Sequence, residues 1–580
     1  MRAPTAFPAQ ALHVALLASL ALSGCAGSVR PSTPSRSTTA PAAQQRWQPP
    51  HGEAPLGPAG LRQNVATRAL APGIVYARIE RGAAAAADAW TANVGFYRDP
   101  HAARADREAL AAAGFAPRLD ASAGTDLAGA SLGSYLSVGR FATRDEAGQA
   151  AARIAAATAD RLRPSVRNTT LAGGPADGPW IVNVLAIAPK RADARLALAL
   201  PGGDDLGGGG ETVSAAAARL GALAGVNGGF FSNVNPFAAP HPPRSPVGAT
   251  VVDGRLVATA LGGRPGVVIE NRRRGGPRAW IASRLATQVR VLDARGGAAT
   301  VAAINRPILG TAVNCGEPAS APTRQPAQDA MCTNFDDLVL YDASYLRGAA
   351  SNTRVDAGYR GASYQLQVDA RGRVVGGQAQ LGAPAPPGGY VLQGLGTQAQ
   401  WLSQRSAPGT RLRIRSQVQA DGRTIAPAAA FSVVEAGPLL SAPDLAANAA
   451  REGFGPNVGG DDRGEAAAAA NRGGPGAGRD VSNHGWYEGW YVNRNGRTAI
   501  GTTADGTILL VEIAGRQPGL SLGASIPETA AVMRWLGAVR SLNLDGGGSS
   551  GMVVDGVQVG HPSDAGGERA VGGTLLLLPR

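Results

Sequence analysis

One loop near the C-terminal end of the chain places a carboxylate beside a run of glycines and hydroxyls. A strand-like stretch, 541–544, leads to Asp545, residues 546–548 are all glycine, and Ser549 and Ser550 follow before a second strand. Three consecutive glycines cost backbone entropy that a simple turn does not require. The pattern favours a cradle in which main-chain N–H groups and hydroxyls bind anionic or sugar oxygens, with the carboxylate as nucleophile, general base or sugar anchor. A flexible Gly/Ser loop without a ligand is the alternative.

Other segments with chemically useful side chains precede this loop. The run Asn227–Phe231, Asn-Gly-Gly-Phe-Phe, follows an apolar strand, and Asn-Gly-Gly is typical of a tight turn that exposes backbone amides. Arg497 begins an Arg-Thr-Ala-Ile-Gly strand, Arg516 lies beyond the next strand, and Arg306 lies at a strand-to-loop junction. Arginine can bind phosphate or carboxylate through two parallel hydrogen bonds. Taken alone, the Asn-Gly-Gly run is better explained as a hairpin turn and each arginine as a surface residue.

Together these segments resemble the phosphodiester glycosidase family, typified by the enzyme that uncovers mannose 6-phosphate by removing N-acetylglucosamine from a sugar-1-phosphodiester. The recurrent motifs of that family occur here in the same order. They are N-G-G-F-F at 227–231, N-R-P at 305–307, G-P-L-L at 437–440, R-T-A-I-G at 497–501 and N-L-D-G-G-G-S-S at 543–550, with Pro562–Asp564 and Arg569 as the tail. The last loop is specific, and the shorter motifs gain weight from their order.

The resemblance implies hydrolysis of a sugar-1-phosphodiester at the anomeric carbon–oxygen bond. A phosphate monoester is a good leaving group, so an orthodox pair of carboxylates is not required. The family pattern implies that Arg497, Arg516 and Arg306 bind the phosphate and that Asp545 is base, nucleophile or sugar anchor. Thr498 is a further predicted catalytic residue. The predicted substrate-binding residues are Asn227, Gly228, Gly229, Phe230, Phe231, Asn543, Gly546, Gly547, Gly548, Ser549 and Ser550, in addition to Arg306.

The sequence departs from the family pattern at two positions. Gly496 precedes Arg497 where family members usually have proline, and Ala514 stands where an Asp-Gly-Arg motif has its aspartate. If that aspartate helps catalysis or orients the arginine, its loss lowers activity or changes the substrate. Two other hypotheses therefore stay open: a cell-wall scaffold lipoprotein that only binds glycans, and a glycosidase acting on wall or capsular polymers without phosphate.

Residues 88–170 contain a repeated strand, turn and Ala-rich helix. Trp90–Phe96 is followed by the helix-like stretch 102–113, and Tyr135–Phe141 by 146–159. This order resembles the SPOR domain, a small fold that binds peptidoglycan glycan strands lacking stem peptides. The sugar-facing aromatic residues implied by the resemblance are Phe96, Tyr97, Tyr135 and Phe141. Strand alternation predicts that half or more of them are core residues, and a spacer without a ligand is the alternative.

Two strand patterns flank the repeat, at 70–81 and 180–187. If both belong to one sheet, the repeat is an insertion at a loop of a larger domain. The irregular mixture of strands and short helices indicates an α+β fold with mixed sheets. The predicted organisation is a signal peptide at 1–25, a disordered tether at 26–61, a SPOR-like domain at 88–170, and a discontinuous glycosidase domain at 62–82 and 178–580.

The N-terminus is typical of an exported lipoprotein. An apolar stretch too short to span a membrane, 11–22, leads to Ser-Gly-Cys25, which resembles a bacterial lipobox with an acylated thiol. Ala26 after the cysteine resembles an outer-membrane address on the periplasmic side of a Gram-negative cell. An ordinary signal peptide is the alternative. Residues 26–61 are rich in Pro, Ser, Thr, Ala and Gln, a composition with too few large apolar groups to fold.

The remaining cysteines and the net charge add little about function. Cys315 and Cys332 are predicted to form a disulfide in an exported chain, with two free thiols as the alternative. The net charge of +13 comes almost entirely from scattered arginines, without the clustering of a nucleic-acid surface. The predicted partners are peptidoglycan glycan strands, a phosphodiester-linked envelope glycan and the membrane, with no nucleic acid. No cofactor is identified and no metal site is predicted, while a divalent-metal requirement stays open.

Overall fold

A computed structural model gives the fold of most of the chain. It describes residues 47–85, 88–204, 206, 208–232, 244–261, 263–272, 275–306, 309–313, 331–346, 359–425, 430–456 and 483–580. The predicted signal peptide with Cys25 lies outside these residues, as do Cys315 and the side chain of Cys332. Acylation and the disulfide therefore stay predictions. None of the helices in the described ranges is long and apolar enough to span a bilayer.

Two stacked antiparallel sheets carry the motif residues. In spatial order, the six strands of the central sheet are β1 (Gln63–Ala71), β2 (Ile74–Arg81), β7 (Trp180–Ile187), β27 (Ile508–Ile513), β26 (Arg497–Thr503) and β28 (Ala538–Asn543). The five strands of the second sheet are β30 (Val557–Gln558), β29 (Met552–Val554), β9 (Ala224–Asn227), β31 (Thr574–Pro579) and β8 (Ala194–Ala199). The two sheets pack face to face through one apolar cluster.

The central sheet is buried on both faces, so its strands are apolar at nearly every position. Along β7, Leu185 and Ile187 point to the second sheet, whereas Val182 and Val184 point to the opposite cluster. A helix, α8 (Ile526–Trp535), covers that opposite face, and a capping box between Ser525 and Glu528 begins it. The outer face of the second sheet is covered by α3 (Val213–Leu220).

The two strands that flank the predicted repeat pair with each other. β2 and β7 are antiparallel neighbours over eight residue pairs, from Ile74↔Ile187 to Arg81↔Trp180. The prediction that both belong to one sheet is therefore confirmed. The chain leaves this sheet after Arg81 and returns to it at Trp180, and what lies between forms a separate small sheet.

That small sheet and its helices are called the inserted module below. Its strands lie in the order β4 (Pro117–Ala121), β5 (Ser134–Phe141), β3 (Trp90–Tyr97) and β6 (Ser165–Asn168), and its helices are α1 (Arg104–Ala112) and α2 (Arg144–Ala157). Both helices pack on one face, where Leu110, Leu136 and Ile154 form its core. A short 3-10 turn, Thr169–Ala172, leads back toward the central sheet. The other face of the small sheet carries no helix of the module.

The rest of the chain forms further small sheets and helices. One sheet contains β11 (Arg255–Ala258), β10 (Thr250–Val252), β25 (Phe431–Glu435), β12 (Gly266–Glu270) and β13 (Arg278–Ala282). Another contains β15 (Ala298–Thr300), β14 (Leu285–Asp293), β23 (Leu412–Ala420) and β24 (Arg423–Ile425). A third contains β16 (Ala303–Ile304), β19 (Leu338–Asp342), β22 (Tyr390–Leu395), β20 (Ser363–Val368) and β21 (Val374–Gln378), and a hairpin pairs β17 (Thr311–Val313) with β18 (Met331–Thr333).

Among the described strands, β16 and β19 form the one parallel pair, and all the other pairs are antiparallel. The remaining helices are α4 (Ala343–Leu346), α5 (Gly396–Ser403), α6 (Leu445–Arg451) and α7 (Asn483–Tyr487), the last continuing as a π-helical turn over Glu488–Val492. This mixture confirms the predicted α+β class.

The last part of the predicted disordered tether, residues 47–61, is folded. Ala54 and Leu56 are buried in the core of the central sheet. The buried guanidinium of Arg81 donates hydrogen bonds to the carbonyl of Leu56 (2.7 Å) and to the carboxylate of Glu53 (2.8 Å). The prediction of disorder was wrong for residues 47–61, since composition alone does not reveal that a buried arginine fixes this segment.

Candidate functional site

The Asn-Gly-Gly turn and the Asp545 loop are bonded directly to each other. The Asp545 N–H donates to the Gly228 carbonyl (3.2 Å), and Asn227 Nδ2 donates to the Asp545 carbonyl (2.8 Å). Asn227 Oδ1 in turn accepts from the Thr498 hydroxyl (2.6 Å) and from the Gly551 N–H (3.2 Å). Asn227 and Thr498 are fully buried, so they fix the backbone of Asp545 from the interior of the protein. Asp545 itself is partly exposed.

The Gly-Pro-Leu-Leu turn fixes the end of the strand that carries Asp545. Asn543 Nδ2 donates to the Gly437 carbonyl (2.9 Å), and the main chains of Asn543 and Pro438 are also hydrogen-bonded (3.1 Å). Asn543 is fully buried. The predicted substrate-binding role of Asn543 is therefore replaced by a role in orienting the loop.

The backbone amides at the start of the glycine run are used within the protein. The Gly546 N–H donates to Asp545 Oδ1 (2.9 Å), and the Gly547 N–H donates to the Gly496 carbonyl (2.7 Å). One of the two amides predicted to form the cradle thus bonds within the loop and the other bonds to the residue before β26. One consequence is that the Gly546 amide stabilises the ionised carboxylate of Asp545.

The glycines are required by the arginines that pack on them. Gly547 has a left-handed backbone (φ +64°), and a Cβ atom there would lie 3.1 Å from the Arg516 guanidinium. A Cβ on Gly548 would collide with both Arg569 and Asp564. The absent side chains therefore leave room for protein side chains next to Asp545, which the glycine pattern alone did not reveal.

The two serines after the glycines are largely buried. Ser549 is 3% exposed, and its hydroxyl accepts a long hydrogen bond from Arg569 Nη1 (3.5 Å). Ser550 Oγ is buried and has no hydrogen-bond partner within the described ranges. Ser549 thus lies beside the arginine that borders the loop, whereas Ser550 faces the protein interior.

Three arginines surround the Asp545 loop. Arg516 Nε donates to Asn495 Oδ1 (2.5 Å), and its charge interacts with those of Asp545, Asp564 and Arg569. Arg569 forms a two-point pair with Asp564 (2.7 and 2.9 Å). The third is Arg244, whose guanidinium lies over the Phe231 ring (5.2 Å) and interacts electrostatically with Arg569 and Asp545.

This cluster has three positive and two negative groups, a net charge of +1. Arg516 was predicted. Arg569 was recognised only as part of the family tail, and Arg244 was missed because no motif marks it. Of the two phenylalanines predicted to bind substrate, Phe231 lies beside Arg244, and Phe230 packs against Phe454 (5.8 Å between ring centroids).

Arg497 lies inside the protein. It is 1% exposed, and its guanidinium donates to the carbonyls of Ala524 (2.7 Å), Trp490 (2.6 Å) and Asn493 (3.1 Å). Burial, and then the neighbouring Arg516 charge, lower the pKa of Arg497 to about 9. These bonds use Nε and Nη2 and tie β26 to Ala524 and to the turn at 490–493. The predicted phosphate contact of Arg497 stays a prediction.

Arg306 is in another part of the fold. It follows β16 in a separate sheet, and its guanidinium forms an ion pair with buried Asp337. Burial lowers the pKa of Arg306 to about 10. The structure does not bring Arg306 to the Asp545 loop, because the strand-to-loop junction that carries it belongs to a different core.

Two of the predicted sugar-facing aromatics belong to the core of the inserted module. Tyr97 is fully buried, and its hydroxyl donates to Asp106 on α1 (2.6 Å). Phe141 is half-buried against the same core. Both face the helices, in agreement with the expectation that at least half of the four are core residues.

The other two lie on the helix-free face, which contacts the segment after α7. Phe96 and Tyr135 meet edge to face (5.0 Å), and the Tyr135 hydroxyl donates to buried Glu488 (2.9 Å) and accepts from Asn493 Nδ2 (2.8 Å). Ser122 donates to the other oxygen of Glu488. Burial raises the pKa of Glu488. Tyr135 is 5% exposed, so its sugar contact is precluded by a contact within the chain.

The segment that contacts the module also holds one of the site arginines, Arg516. The carbonyls of Gly489 and Asn493 accept hydrogen bonds from Asn495 Nδ2 (3.0 and 3.1 Å), and Asn495 Oδ1 binds Arg516. We call residues 488–495 the hub segment. A continuous set of contacts therefore leads from the inserted module through the hub segment to the Asp545 loop, and sequence patterns gave no indication of it.

Both departures from the family pattern lie where backbones approach closely. A Cβ on Gly496 would lie 2.8 Å from the Gly547 carbonyl oxygen. Ala514 is fully buried; its N–H donates to Ile181 (3.1 Å) and its carbonyl accepts from the Ser521 hydroxyl (2.5 Å). Among the described residues, no group of three or more His, Cys, Asp or Glu side chains is arranged to hold a metal ion.

Comparisons with known proteins give one family match, in the C-terminal part of the chain, and three similar structures. Residues 458–578 match the family model described as phosphodiester glycosidase. The crystal structure of BPSS2145 from Burkholderia pseudomallei K96243, a protein named as exported, is 63% identical, with a TM-score of 0.85 over 92% of this chain and 100% of that chain. No curated protein matches the chain.

Two further structures are distant. A hypothetical protein from Synechocystis is 17% identical, with a TM-score of 0.47 over 90% of this chain and 76% of that one. The zebrafish N-acetylglucosamine-1-phosphodiester alpha-N-acetylglucosaminidase catalytic domain, auto-inhibited by its pro-peptide, is 12% identical, with a TM-score of 0.28 over 72% of this chain and 79% of that one. The chain thus belongs to the same protein family as the Burkholderia protein, and residues 458–578 carry a phosphodiester glycosidase domain.

Proposed function

We propose that this protein is an exported hydrolase that cleaves sugar-1-phosphodiester bonds in cell-envelope or exopolysaccharide glycans. The observation that carries the proposal is the gathering of Arg516, Arg569 and Arg244 around the partly exposed Asp545, in a chain with a phosphodiester glycosidase domain. Fixed positive charges beside a carboxylate suit a substrate whose phosphate lies next to the bond that breaks.

In the proposed reaction the bond between the anomeric carbon and the phosphate oxygen breaks, and the electron pair leaves with the phosphate monoester. The arginines stabilise the charge on that leaving group. Water supplies the hydroxyl that the anomeric carbon receives. Asp545 either takes the proton of this water or first bonds to the carbon as a nucleophile, and both routes yield one free sugar and one phosphate monoester.

The test is hydrolysis of the methyl phosphodiester of N-acetylglucosamine 1-phosphate. Asp545→Asn should lower the turnover at least ~100-fold, because an amide cannot act as base or nucleophile. Its melting temperature should stay close to that of the wild type, because Asp545 is partly exposed and its backbone contacts persist. The matched control is Asp421→Asn, in a turn with φ +49° that asparagine also adopts. Full activity of the Asp545→Asn protein would refute the assignment.

A second candidate is a glycan-binding scaffold without catalysis. The observation that favours it is the fully buried Ala514 at the position of the family aspartate. Sugar release by the wild-type protein excludes this candidate. Inhibition of that release by inorganic phosphate separates a phosphodiester substrate from a polymer without phosphate, because only the former requires an occupied anion site.

Targeting to the envelope is a further part of the proposal. We expect Cys25 to carry a lipid and the inserted module to bind peptidoglycan glycan strands. Since Tyr97 and Tyr135 are buried and Phe141 packs on the core of the module, half-buried Phe96 is the remaining predicted sugar contact. Co-sedimentation with glycan strands lacking stem peptides should fall on Phe96→Ala. Incorporation of labelled fatty acid should be lost on Cys25→Ser, and unchanged results would argue against either anchor.

A further inference from the structure

One amide side chain of the hub segment is hydrogen-bonded through both its nitrogen and its oxygen. Asn495 is 6% exposed, and its Nδ2 donates to the carbonyls of Gly489 (3.0 Å) and Asn493 (3.1 Å). Because the nitrogen must face these two carbonyls, the orientation of the amide is fixed and its oxygen points to the other side. There Oδ1 accepts a hydrogen bond from Arg516 Nε (2.5 Å). The side chain therefore offers a single acceptor in one defined direction.

The main chain of Asn495 is also fixed, and it packs directly on the loop that carries Arg516. Asn495 and Ala524 exchange two main-chain hydrogen bonds (3.1 and 2.9 Å). A Cβ on Gly515 would lie 2.5 Å from the Asn495 carbonyl carbon, and a Cβ on Gly523 would lie 2.2 Å from its oxygen. Arg516 itself has a left-handed backbone (φ +59°), which costs a residue with a side chain free energy. The fold thus holds Arg516 beside Asn495 in spite of local strain.

The Arg516 guanidinium lies flat on the glycine run and directs its outer edge away from it. A Cβ on Gly547 would lie 3.1, 3.2 and 3.3 Å from Nη2, Cζ and Nη1, and such nearly equal distances place the face of the group on the glycine. Nε is bonded to Asn495, whereas Nη1 and Nη2 donate to no other group of the described residues. Arg516 is exposed, so these two nitrogens can bind two oxygens of a phosphate in parallel.

We propose that Asn495 is a positioning residue, which holds the Arg516 guanidinium in the orientation that binds the phosphate of the substrate. The inference rests on the proposed function, in which Arg516 contacts that phosphate, and it adds the residue that prepares the contact. An untethered arginine side chain samples many rotamers and loses this freedom when an anion binds. The hydrogen bond to Asn495 removes part of that freedom in advance, so more of the binding energy appears as affinity.

The test is phosphorus NMR titration of the full chain with methyl phosphate, the product that remains after sugar release from the model substrate. We expect Asn495→Ala to weaken methyl phosphate binding about tenfold. In an Arg516→Lys background, which keeps the positive charge but has no Nε, the same change should have less than a ~2-fold effect, because Asn495 acts through that nitrogen. The matched control is Asn271→Ala, which removes an amide bonded to the main chain of Leu196 (3.0 and 2.9 Å) and should leave binding unchanged.

Hydrolysis of the methyl phosphodiester separates this inference from the proposed function. Four results would overturn the positioning role: no methyl phosphate binding by the wild type, equal affinity in Asn495→Ala, an undiminished effect in the Arg516→Lys background, or an equal loss in Asn271→Ala. If the wild type hydrolyses nothing but its affinity for methyl phosphate follows the expected pattern, the positioning role stands and the proposed activity falls. If Asn495→Ala binds methyl phosphate and hydrolyses the diester as well as the wild type does, the activity stands and the positioning role falls.

Discussion

A buried carboxyl behind the candidate site makes the stability of this protein depend on pH. Glu512 on β27 is fully buried, and one of its oxygens accepts a hydrogen bond from Asn183 Nδ2 (2.7 Å). Its other oxygen has no hydrogen-bond partner among the described residues. The Tyr76 hydroxyl donates to Asn183 Oδ1 (2.7 Å) and so fixes the direction of the amide. Burial raises the pKa of Glu512 to about 7, although Asn183 and the Arg78 charge oppose the rise.

The raised pKa converts directly into free energy. One pKa unit is worth about 1.4 kcal/mol, so ionising Glu512 costs the folded protein about 3 kcal/mol more than the unfolded chain. Below pH 4.5 the group is neutral in both states and the cost is absent. The cost grows as the pH rises and is complete above pH 7, because the folded protein binds more protons in that window.

Glu512→Gln removes this titration while keeping an oxygen for Asn183. We expect the free energy of unfolding of the variant, relative to the wild type, to rise by about 2–3 kcal/mol between pH 5 and pH 8. The assay is urea unfolding followed by tryptophan fluorescence at both pH values. The control is Glu108→Gln, at an exposed position of α1, which measures the pH-dependent effect of removing an exposed carboxylate. If the free energies of unfolding of variant and wild type differed by the same amount at both pH values, the reasoning would be refuted. If the wild type instead gained stability relative to the variant as the pH rises, Glu512 would be a paired, ionised carboxylate.

Two further substitutions test the module contact and the glycine run. Tyr135→Phe leaves buried Glu488 with one hydrogen bond fewer, so the free energy of unfolding should fall by about 1–3 kcal/mol in the same urea assay; an unchanged midpoint would contradict the contact. Gly547→Ala strains a backbone with φ +64° by about 1–2 kcal/mol and presses on Arg516, so hydrolysis of the model phosphodiester should fall at least ~10-fold. The control is Gly556→Ala, at φ +74° with open space around it, which should lower the free energy of unfolding by a similar amount but keep full activity. If both variants lost activity equally, the contact with Arg516 would not explain the loss in Gly547→Ala.

The order of the motifs and the insertion were accessible from the sequence. Apolar and polar residues alternate along 74–81, and residues 180–187 are almost all apolar; both patterns are typical of strands. The pairing of these two strands was predicted from the patterns. The family resemblance implied that Asn227 and the Asp545 loop belong to one site, and the structure shows that they are hydrogen-bonded to each other. Fold class and site location could therefore be predicted, because they follow from local patterns that are visible in a single sequence.

The direction of each arginine could not be predicted in the same way. β26 is buried on both faces, so the alternation that separates inside from outside is lost, and Arg497 looks like any strand residue. Arg306 lies within the Asn-Arg-Pro motif but belongs to a different core, which only the strand pairing reveals. Arg244 and the hub segment have no distinctive neighbours in sequence. Their roles come from long-range contacts, for which spacing carries no signal.

The way the module is inserted has a mechanical consequence. The chain enters and leaves it through β2 and β7, which are neighbours at the Arg81–Trp180 end of their ladder. A pull on the module acts along both strands together, so the load is carried in shear by the pairing of β2 with β1 and of β7 with β27. β27 is bonded in turn to β26, the strand that begins with Arg497. If the module grips a rigid wall polymer, tension would reach the strands that hold the site, and turnover would become sensitive to force.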